Sequence, residues 1–177
     1  TPLYSSAASD VYKRQLKYRL VERADVLISN SRAIAAHVRG HSDVIYNSYR
    51  TDLFRITNTA PRDPNSLVYL GRLSEDKGID LLIRAVRNLK DRGLSPRLTL
   101  IGDGDYRADL EALIRDLKVE DEVAMLGPKA GSEICEELNR HAIAVVPSRF
   151  PEPFGTVALE NAASGCVTLS LIHISEP

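Results

Sequence analysis

The sequence has no excess of charge of either sign. Lysine and arginine number 23 against 24 aspartates and glutamates, which gives a formal net charge of −1. Binding to the phosphate backbone of nucleic acid needs a basic surface, so this balance argues against nucleic acid as a partner. No apolar run approaches the roughly 20 residues needed to cross a bilayer. These absences predict an ordinary water-soluble globular domain.

Cysteine is also scarce. The only two, Cys135 and Cys166, share no spacing typical of a metal or redox site, so we expect small core residues in a reducing, cytoplasmic compartment. The histidines at positions 37, 41 and 141 are scattered, and no chemical role is expected for them.

The two ends of the chain can be encoded by complementary DNA strands. Residues 10–15, DVYKRQ, can be written GAT GTG TAT AAG AGA CAG, and the reverse complement of that string translates as LSLIHI, residues 169–174. An adapter ligated to both sides of a DNA fragment produces such a pair. Residues 1–15 and 169–177 are therefore predicted to be adapter-derived and to pack poorly. We expect residues 16–168 to be an internal fragment of a longer protein, here called the parent protein.

Most of this fragment alternates short apolar runs with segments of helical periodicity. Two short strands, 24–29 and 43–46, are predicted first, with Asn30 and Ser31 placed to cap a helix between them. A turn-rich stretch, residues 47–66, is interpreted as an interdomain linker. Four buried strands are then predicted at 66–71, 97–102, 123–127 and 142–148, with helices following them. This pattern predicts an α/β class with a Rossmann-like parallel sheet.

Ligands of such sheets bind beyond the carboxyl ends of the strands, so the loops there are the candidate site. The loop after the first buried strand reads GRLSEDKG and carries Arg72 and Lys77 between Gly71 and Gly78. Two cations before a helix N-terminus can neutralise a diphosphate. A merely solvated loop is an equally good interpretation of these residues alone.

The loop after the second buried strand contains a glycine pair, Gly102 and Gly104. A dinucleotide-binding loop would have a third glycine where this chain has Arg107. A dinucleotide-dependent dehydrogenase is therefore disfavoured.

The loop after the fourth buried strand reads SRFPEPFGTVALENAASG and carries Glu152 and Glu160. A helix is predicted from Gly155 to about Ser164. Eight helical residues rise about 12 Å, whereas glycosidase carboxylates stand roughly 5 to 9.5 Å apart. The two acids therefore suit the two ends of an extended ligand better than one scissile bond. Alone, Glu160 could equally be a solvated helix residue.

Six segments, in order from residue 24 to about residue 167, resemble the family 4, or group 1, glycosyltransferases of the GT-B fold. They are ADVLISNSRAIAAHV, VIYNSYRTDLF, VYLGRLSEDKGIDLLIRAV, LIGDGDYRADLEAL, VAMLGPKAGSEI and PSRFPEPFGTVALENAASG. The second departs from the family's usual V-I-P-N-G-V-D, with Tyr46, Ser48 and Arg50 at its Pro, Gly and Asp positions.

The resemblance implies a C-terminal domain that holds a nucleoside-diphosphate sugar and needs no metal or other cofactor. Arg72 and Lys77, in the loop opened by Gly71, match the pair that stabilises the leaving diphosphate. Glu160 matches the second glutamate of the E-x7-E motif, expected on the ribose hydroxyls. The first glutamate is matched by Glu152, expected near the donor sugar and assigned with Arg72 and Lys77 to the catalytic group. Sugar and phosphate would meet the backbone amides of Phe154, Gly155 and Thr156.

The same resemblance divides the chain. Residues 16–57 would be the end of the N-terminal acceptor domain and the linker, and residues 58–168 a truncated donor-binding domain. Most of the acceptor domain, and the last strands with the returning helix, would lie outside the fragment.

The expected activity of the parent protein is hexosyl transfer, with retention, to an acceptor glycan or glycolipid in polysaccharide or glycolipid biosynthesis. Peripheral membrane association would come through the missing domain. The isolated chain is expected to be a catalytically silent donor-binding module. A sugar-nucleotide epimerase on the same scaffold is a third reading.

Overall fold

The structure, a computed structural model, describes residues 19–21, 23–149 and 155–171. The described residues divide into two compact units, one up to residue 47 and the other from residue 48. In the first unit, β1 (Ile28–Ser29) pairs in parallel with β2 (Asp43–Val44). Helix α1 (Arg32–Ala35) begins after Ser31, whose Oγ accepts a hydrogen bond from the Ile34 amide at 3.2 Å. The predicted cap at Ser31 is confirmed.

Both strands of this unit are shorter than predicted. Val26, Ile28 and Ile45 expose more than half of their surface. The apolar runs from which these strands were predicted therefore have few packing partners within the described residues. An isolated pair of strands is marginally stable, which accounts for two-residue strands where four to six residues were predicted.

The second unit is built on a five-stranded, fully parallel sheet with the order β5-β4-β3-β6-β7. Its strands are β3 (Ser66–Leu70), β4 (Arg97–Ile101), β5 (Val123–Gly127), β6 (Ile143–Val146) and β7 (Val167–Ser170). Its helices are α2 (Ile79–Asp91), α3 (Arg107–Asp116), α4 (Ser132–Arg140) and α5 (Thr156–Ala163). The predicted α/β class and parallel sheet are confirmed, and the four predicted strands lie within two residues of their predicted ends.

Two apolar clusters cover the two faces of this sheet. Successive residues of a strand point to opposite faces: Tyr69 packs with residues of α2 and α3, while Val68 packs with Leu138 of α4 and with Phe54. Burial on both faces explains why the strands are continuous apolar runs and not alternating ones.

Strand β7 was not predicted. It pairs with β6 through Ser170, two residues into the segment predicted to be adapter-derived, and the Leu171 amide donates to the Val146 carbonyl at 3.2 Å. Strand pairing uses backbone groups that every non-proline residue carries, so foreign residues can continue a strand. The Leu169 and Leu171 side chains remain mostly exposed. The adapter origin stays a prediction, and residues 1–15 and 172–177 lie outside the described residues.

Within the second unit, side-chain hydrogen bonds hold residues 55–62 in place. Asn139 of α4 accepts a hydrogen bond from the Thr57 amide at 2.8 Å and donates to the Arg55 carbonyl at 2.9 Å. Arg62 donates to the carbonyls of His141 and Ser164, each at 2.7 Å. Much of the predicted linker is thus fixed to this unit, and the predicted domain boundary at residue 58 stays a prediction.

Candidate functional site

The order of the strands predicts a crevice between β3 and β6. These strands are neighbours, with Leu67 opposite Ile143. The chain leaves β3 toward β4 on one side and leaves β6 toward β7 on the other. Connections that diverge in this way open a gap at the carboxyl edge of the sheet, where ligands of doubly wound sheets bind. The loop after β3 (residues 71–78) and the described start of the loop after β6 (residues 147–149) therefore flank the candidate site.

The loop after β3 brings Arg72 and Lys77 onto one side of this crevice. The Tyr69 hydroxyl donates to the Arg72 carbonyl at 2.8 Å, which fixes the start of the loop just after Gly71. A 3₁₀ turn, Glu75–Lys77, then places Lys77 directly before Gly78, the N-cap of α2. The Arg72 side chain is 69% exposed. It is therefore accessible to an anionic ligand beside the positive end of the α2 dipole.

Asp76 shares this loop with the two cations. One of its carboxylate oxygens, Oδ2, lies 3.8 Å from Arg72 Nη2. A hydrogen bond from Ser74 is the main cause that lowers the pKa of Asp76, and the charges of Lys77 and Arg72 lower it further. Asp76 is therefore ionised at neutral pH, and it offsets part of the positive charge that a diphosphate would meet.

Helix α5 forms the other side of the crevice. It begins after its N-cap Gly155, so the amides of Thr156 and Val157 have no acceptor within the helix. The predicted helix is thus confirmed to within a residue or two. Glu160 lies in its second turn, partly buried, and burial raises the pKa of this carboxyl. Within the described residues, no hydrogen bond or ion pair reaches it.

Two predicted site residues, Glu152 and Phe154, lie outside the described residues. The predicted separation of Glu152 from Glu160, and the roles assigned to Glu152 and to the Phe154 amide, stay predictions.

Direct contacts join the two loops. The Arg149 amide donates to the Asp76 carbonyl at 2.9 Å. Its guanidinium Nη2 donates to Asp80 Oδ2 at 2.6 Å, and Nη1 lies 3.7 Å from Glu75 Oε1. Sequence reasoning missed Asp80 and Arg149. The sequence does show an arginine just after one strand, and an acid in the first turn of the helix that follows a different strand. These positions become informative only once the two strands are known to be neighbours.

The glycine pair in the loop after β4 has a packing explanation. A Cβ at Gly102 would collide with the Gly71 carbonyl, and one at Gly104 with the Leu73 carbonyl. Arg107, where a dinucleotide site would have glycine, pairs with Glu111 at 2.9 Å. These glycines let the loops after β3 and β4 approach each other closely.

Other candidates have structural roles. His141 is buried, with Nε2 2.8 Å from Thr99 Oγ1, and Cys135 and Cys166 are buried free thiols. The described part of the chain holds no group of three or more potential metal ligands among His, Cys, Asp and Glu. Among its helices, none combines the length and apolar character that spanning a membrane requires.

Comparison with known proteins gives consistent matches. The family described as "Glycosyl transferases group 1" matches residues 51–172. D-inositol 3-phosphate glycosyltransferase of Pseudarthrobacter chlorophenolicus is 31% identical over 168 residues, covering 84% of this chain and 40% of that protein. The chain spans less than half the length of the curated relatives it matches.

Solved structures of other proteins share the fold of this chain. Sucrose-phosphate synthase of Thermosynechococcus elongatus superposes with a TM-score of 0.78 at 25% identity, over 88% of this chain and 43% of that one. HepE of Anabaena, solved in complex with UDP and glucose, superposes with a TM-score of 0.75 at 26% identity, over 88% and 47%.

Proposed function

Because this chain belongs to the group 1 glycosyltransferases, we propose that its parent protein transfers a sugar from a nucleoside-diphosphate sugar to an acceptor hydroxyl. The fold expected from the sequence, part of the C-terminal half of a GT-B glycosyltransferase, is confirmed. What supports the proposed reaction is that the loop carrying Arg72 and Lys77 follows β3 while α5 follows β6, the neighbouring strand of the same parallel sheet. This placement suits a ligand with an anionic middle.

The roles of the residues follow from this arrangement. Arg72 and Lys77 neutralise the diphosphate and stabilise the charge that develops on it as the sugar leaves, a task that needs only well-placed donors. The amides of Thr156, the first residue of α5, and of its N-cap Gly155 bind phosphate or sugar oxygens. Glu160 accepts hydrogen bonds from the ribose hydroxyls. We propose these roles without a metal ion, since two cations already face the diphosphate.

The donor class has support from one relative. HepE was solved with UDP and glucose, and its fold covers most of this chain, so a uridine-diphosphate hexose is the first donor to test. The acceptor, a glycan or glycolipid, would bind the N-terminal part of the parent protein. Retention of anomeric configuration belongs to the same proposal.

For the isolated chain we propose donor binding without transfer. The chain covers 40% of a curated relative, so much of the acceptor side of the cleft is absent from it. Calorimetry with a panel of nucleoside diphosphates tests this directly. Heat of binding is expected with at least one of them, and no heat with any would overturn the binding proposal.

The parent protein tests the transfer. Lys77→Ala is expected to lower turnover of the donor by roughly 10²- to 10³-fold, because it removes a charge partner of the transition state. Glu160→Ala is expected to lower turnover roughly tenfold or more, because it removes a charged hydrogen bond. Arg84→Ala, an exposed change on α2, is the matched control and should leave turnover unchanged. Wild-type turnover in both site variants would mean that the site is wrongly assigned. Product analysis distinguishes a glycoside from a released epimer.

A further inference from the structure

Arg149 joins the two loops of the candidate site through three groups on the loop after β3 and the start of α2. Its amide donates to the backbone of Asp76, and its guanidinium contacts Asp80 at 2.6 Å and Glu75 at 3.7 Å. The Arg149 side chain has two carboxylates within 4 Å. Its charge is already balanced by these carboxylates, so it is not assigned to the diphosphate.

Asp80 is the buried partner of this contact. Its side chain is only 12% exposed, and its second oxygen, Oδ1, is buried with no hydrogen-bond partner within the described residues. The first turn of α2 favours a carboxylate through the helix dipole. Removing one partner of a desolvated ion pair leaves the other charge unpaired. The pair is therefore a firm link between the start of α2 and the start of the loop after β6.

This link joins the first turn of α2 to the third residue after β6. Lys77 precedes α2 by two residues and Asp80 is the second residue of α2, so displacing one displaces the other. On the facing side, Arg149 lies three residues after β6, a strand that α5 contacts directly. The Arg149–Asp80 pair is thus placed to set the spacing between the basic loop and α5.

We propose that Asp80 is a positioning residue of the donor site, which acts through Arg149 to hold Lys77 and Arg72 at the correct distance from the N-terminus of α5. This inference rests on the proposed function and extends it to a residue outside the ligand contacts. A misplacement of about 1 Å in such a site costs on the order of 10²-fold in rate.

Asp80→Asn in the full-length parent protein tests the inference, with Arg149→Gln as its partner variant. Both are expected to lower kcat for donor turnover about 10- to 100-fold and to change the donor KM by less than about threefold, since the ligand contacts themselves remain. Arg149→Lys keeps the charge and loses the planar fork, so it should recover part of kcat.

The matched control is Glu122→Gln. Glu122 is 17% exposed at its side chain and pairs with Lys90 at 2.8 Å, across elements at the opposite edge of the same sheet. Its loss should lower the Tm to a similar extent as Asp80→Asn while leaving kcat unchanged. A purely structural role for Asp80 would give the two variants the same kinetic result, and that outcome would overturn the inference.

A double-mutant cycle tests the inference further, with Lys77→Ala as the background variant. If Asp80 acts by placing Lys77, then Asp80→Asn adds little further loss of kcat in Lys77→Ala, whereas independent effects multiply. Multiplying losses, or an effect on KM alone, would contradict the positioning role. Loss of turnover in Lys77→Ala with wild-type kinetics in Asp80→Asn would overturn this inference alone. Wild-type turnover in Lys77→Ala would instead overturn the proposed function.

Discussion

The backbone of Gly78 lies against the carbonyl oxygen of Pro147, and a side-chain carbon at position 78 would collide with that oxygen. The contact brings the last residue of the basic loop onto the first residue after β6. It allows the neighbouring bonds from Arg149 to form. The close approach of these two backbones therefore lets the loops of the candidate site meet, and the Arg149 contacts then join them.

Gly78→Ala is expected to destabilise the chain by about 2–4 kcal/mol. It combines the strain of a Cβ at φ +66° with overpacking against Pro147. Gly93→Ala is the matched control, since Gly93 also has positive φ, +80°, but has nothing within 4 Å of its Cβ position. It should show only the strain, about 1–2 kcal/mol. Urea unfolding measures both, and equal losses would contradict the close contact.

Glu160→Gln is expected to stabilise the chain and to weaken binding of a nucleoside diphosphate. Burial raises the pKa of Glu160 in the folded state. The stability that the Glu160 carboxyl contributes to the wild type is therefore fully present below the ordinary pKa of glutamate. It is lost as the pH rises through the raised pKa of the folded state. Glutamine has no such loss, so the Tm of the variant should exceed that of the wild type only as the pH rises through that window. A Tm difference independent of pH would contradict this account.

Binding to the wild type should follow the same titration. The charged carboxylate is the better acceptor for ribose hydroxyls, so affinity for the nucleoside diphosphate should rise with pH through the raised pKa of Glu160. The glutamine variant should bind roughly tenfold more weakly at neutral pH. Calorimetry across the pH range compares the two proteins, and parallel profiles would exclude Glu160 as the titrating group.

Asp76→Asn is expected to strengthen binding of a nucleoside diphosphate about two- to fivefold at low salt. Asp76 lies 3.8 Å from Arg72 and is ionised, so its removal leaves more positive charge for the phosphates. The gain should shrink as salt is raised, because these groups are exposed and screened. Asp109→Asn, an exposed change in the first turn of α3, is the control. Weaker binding in Asp76→Asn would mean that this carboxylate organises the loop.

Asn139→Ala is expected to destabilise the chain by about 2–4 kcal/mol, since the buried amide satisfies backbone groups of Arg55, Thr57 and Cys135. Hydrogen exchange should quicken at the amides of Thr57 and Asn58, which both reach the Asn139 oxygen. Asn88→Ala, on the exposed face of α2, should change neither quantity. Unchanged exchange in Asn139→Ala would show that the contacts of Phe54 and Arg62 fix this segment without it.

The central sheet could be predicted because each inner strand is buried on both faces and reads as an uninterrupted apolar run. Strand β7 gave no such signal: Val167 and Leu169 are exposed on an edge, and their pairing depends on backbone groups that sequence does not reveal. Some contacts of the candidate site could likewise be predicted from the sequence, and others could not. Arg72, Lys77 and Glu160 stand next to recognisable strand ends and motifs. The Arg149–Asp80 contact joins residues 69 positions apart and requires the strand order.

The bond between the Arg149 amide and the Asp76 carbonyl also restricts how this site can diverge between lineages. An inserted or deleted residue in either loop would shift one partner and leave a donor and an acceptor unmatched. Adaptation to a new sugar should therefore proceed by exchanging side chains at constant loop length. The turn at residues 93–96, at the opposite edge of the sheet, has open space beside Gly93. It is where peptide tags and extra segments should be accommodated with least harm.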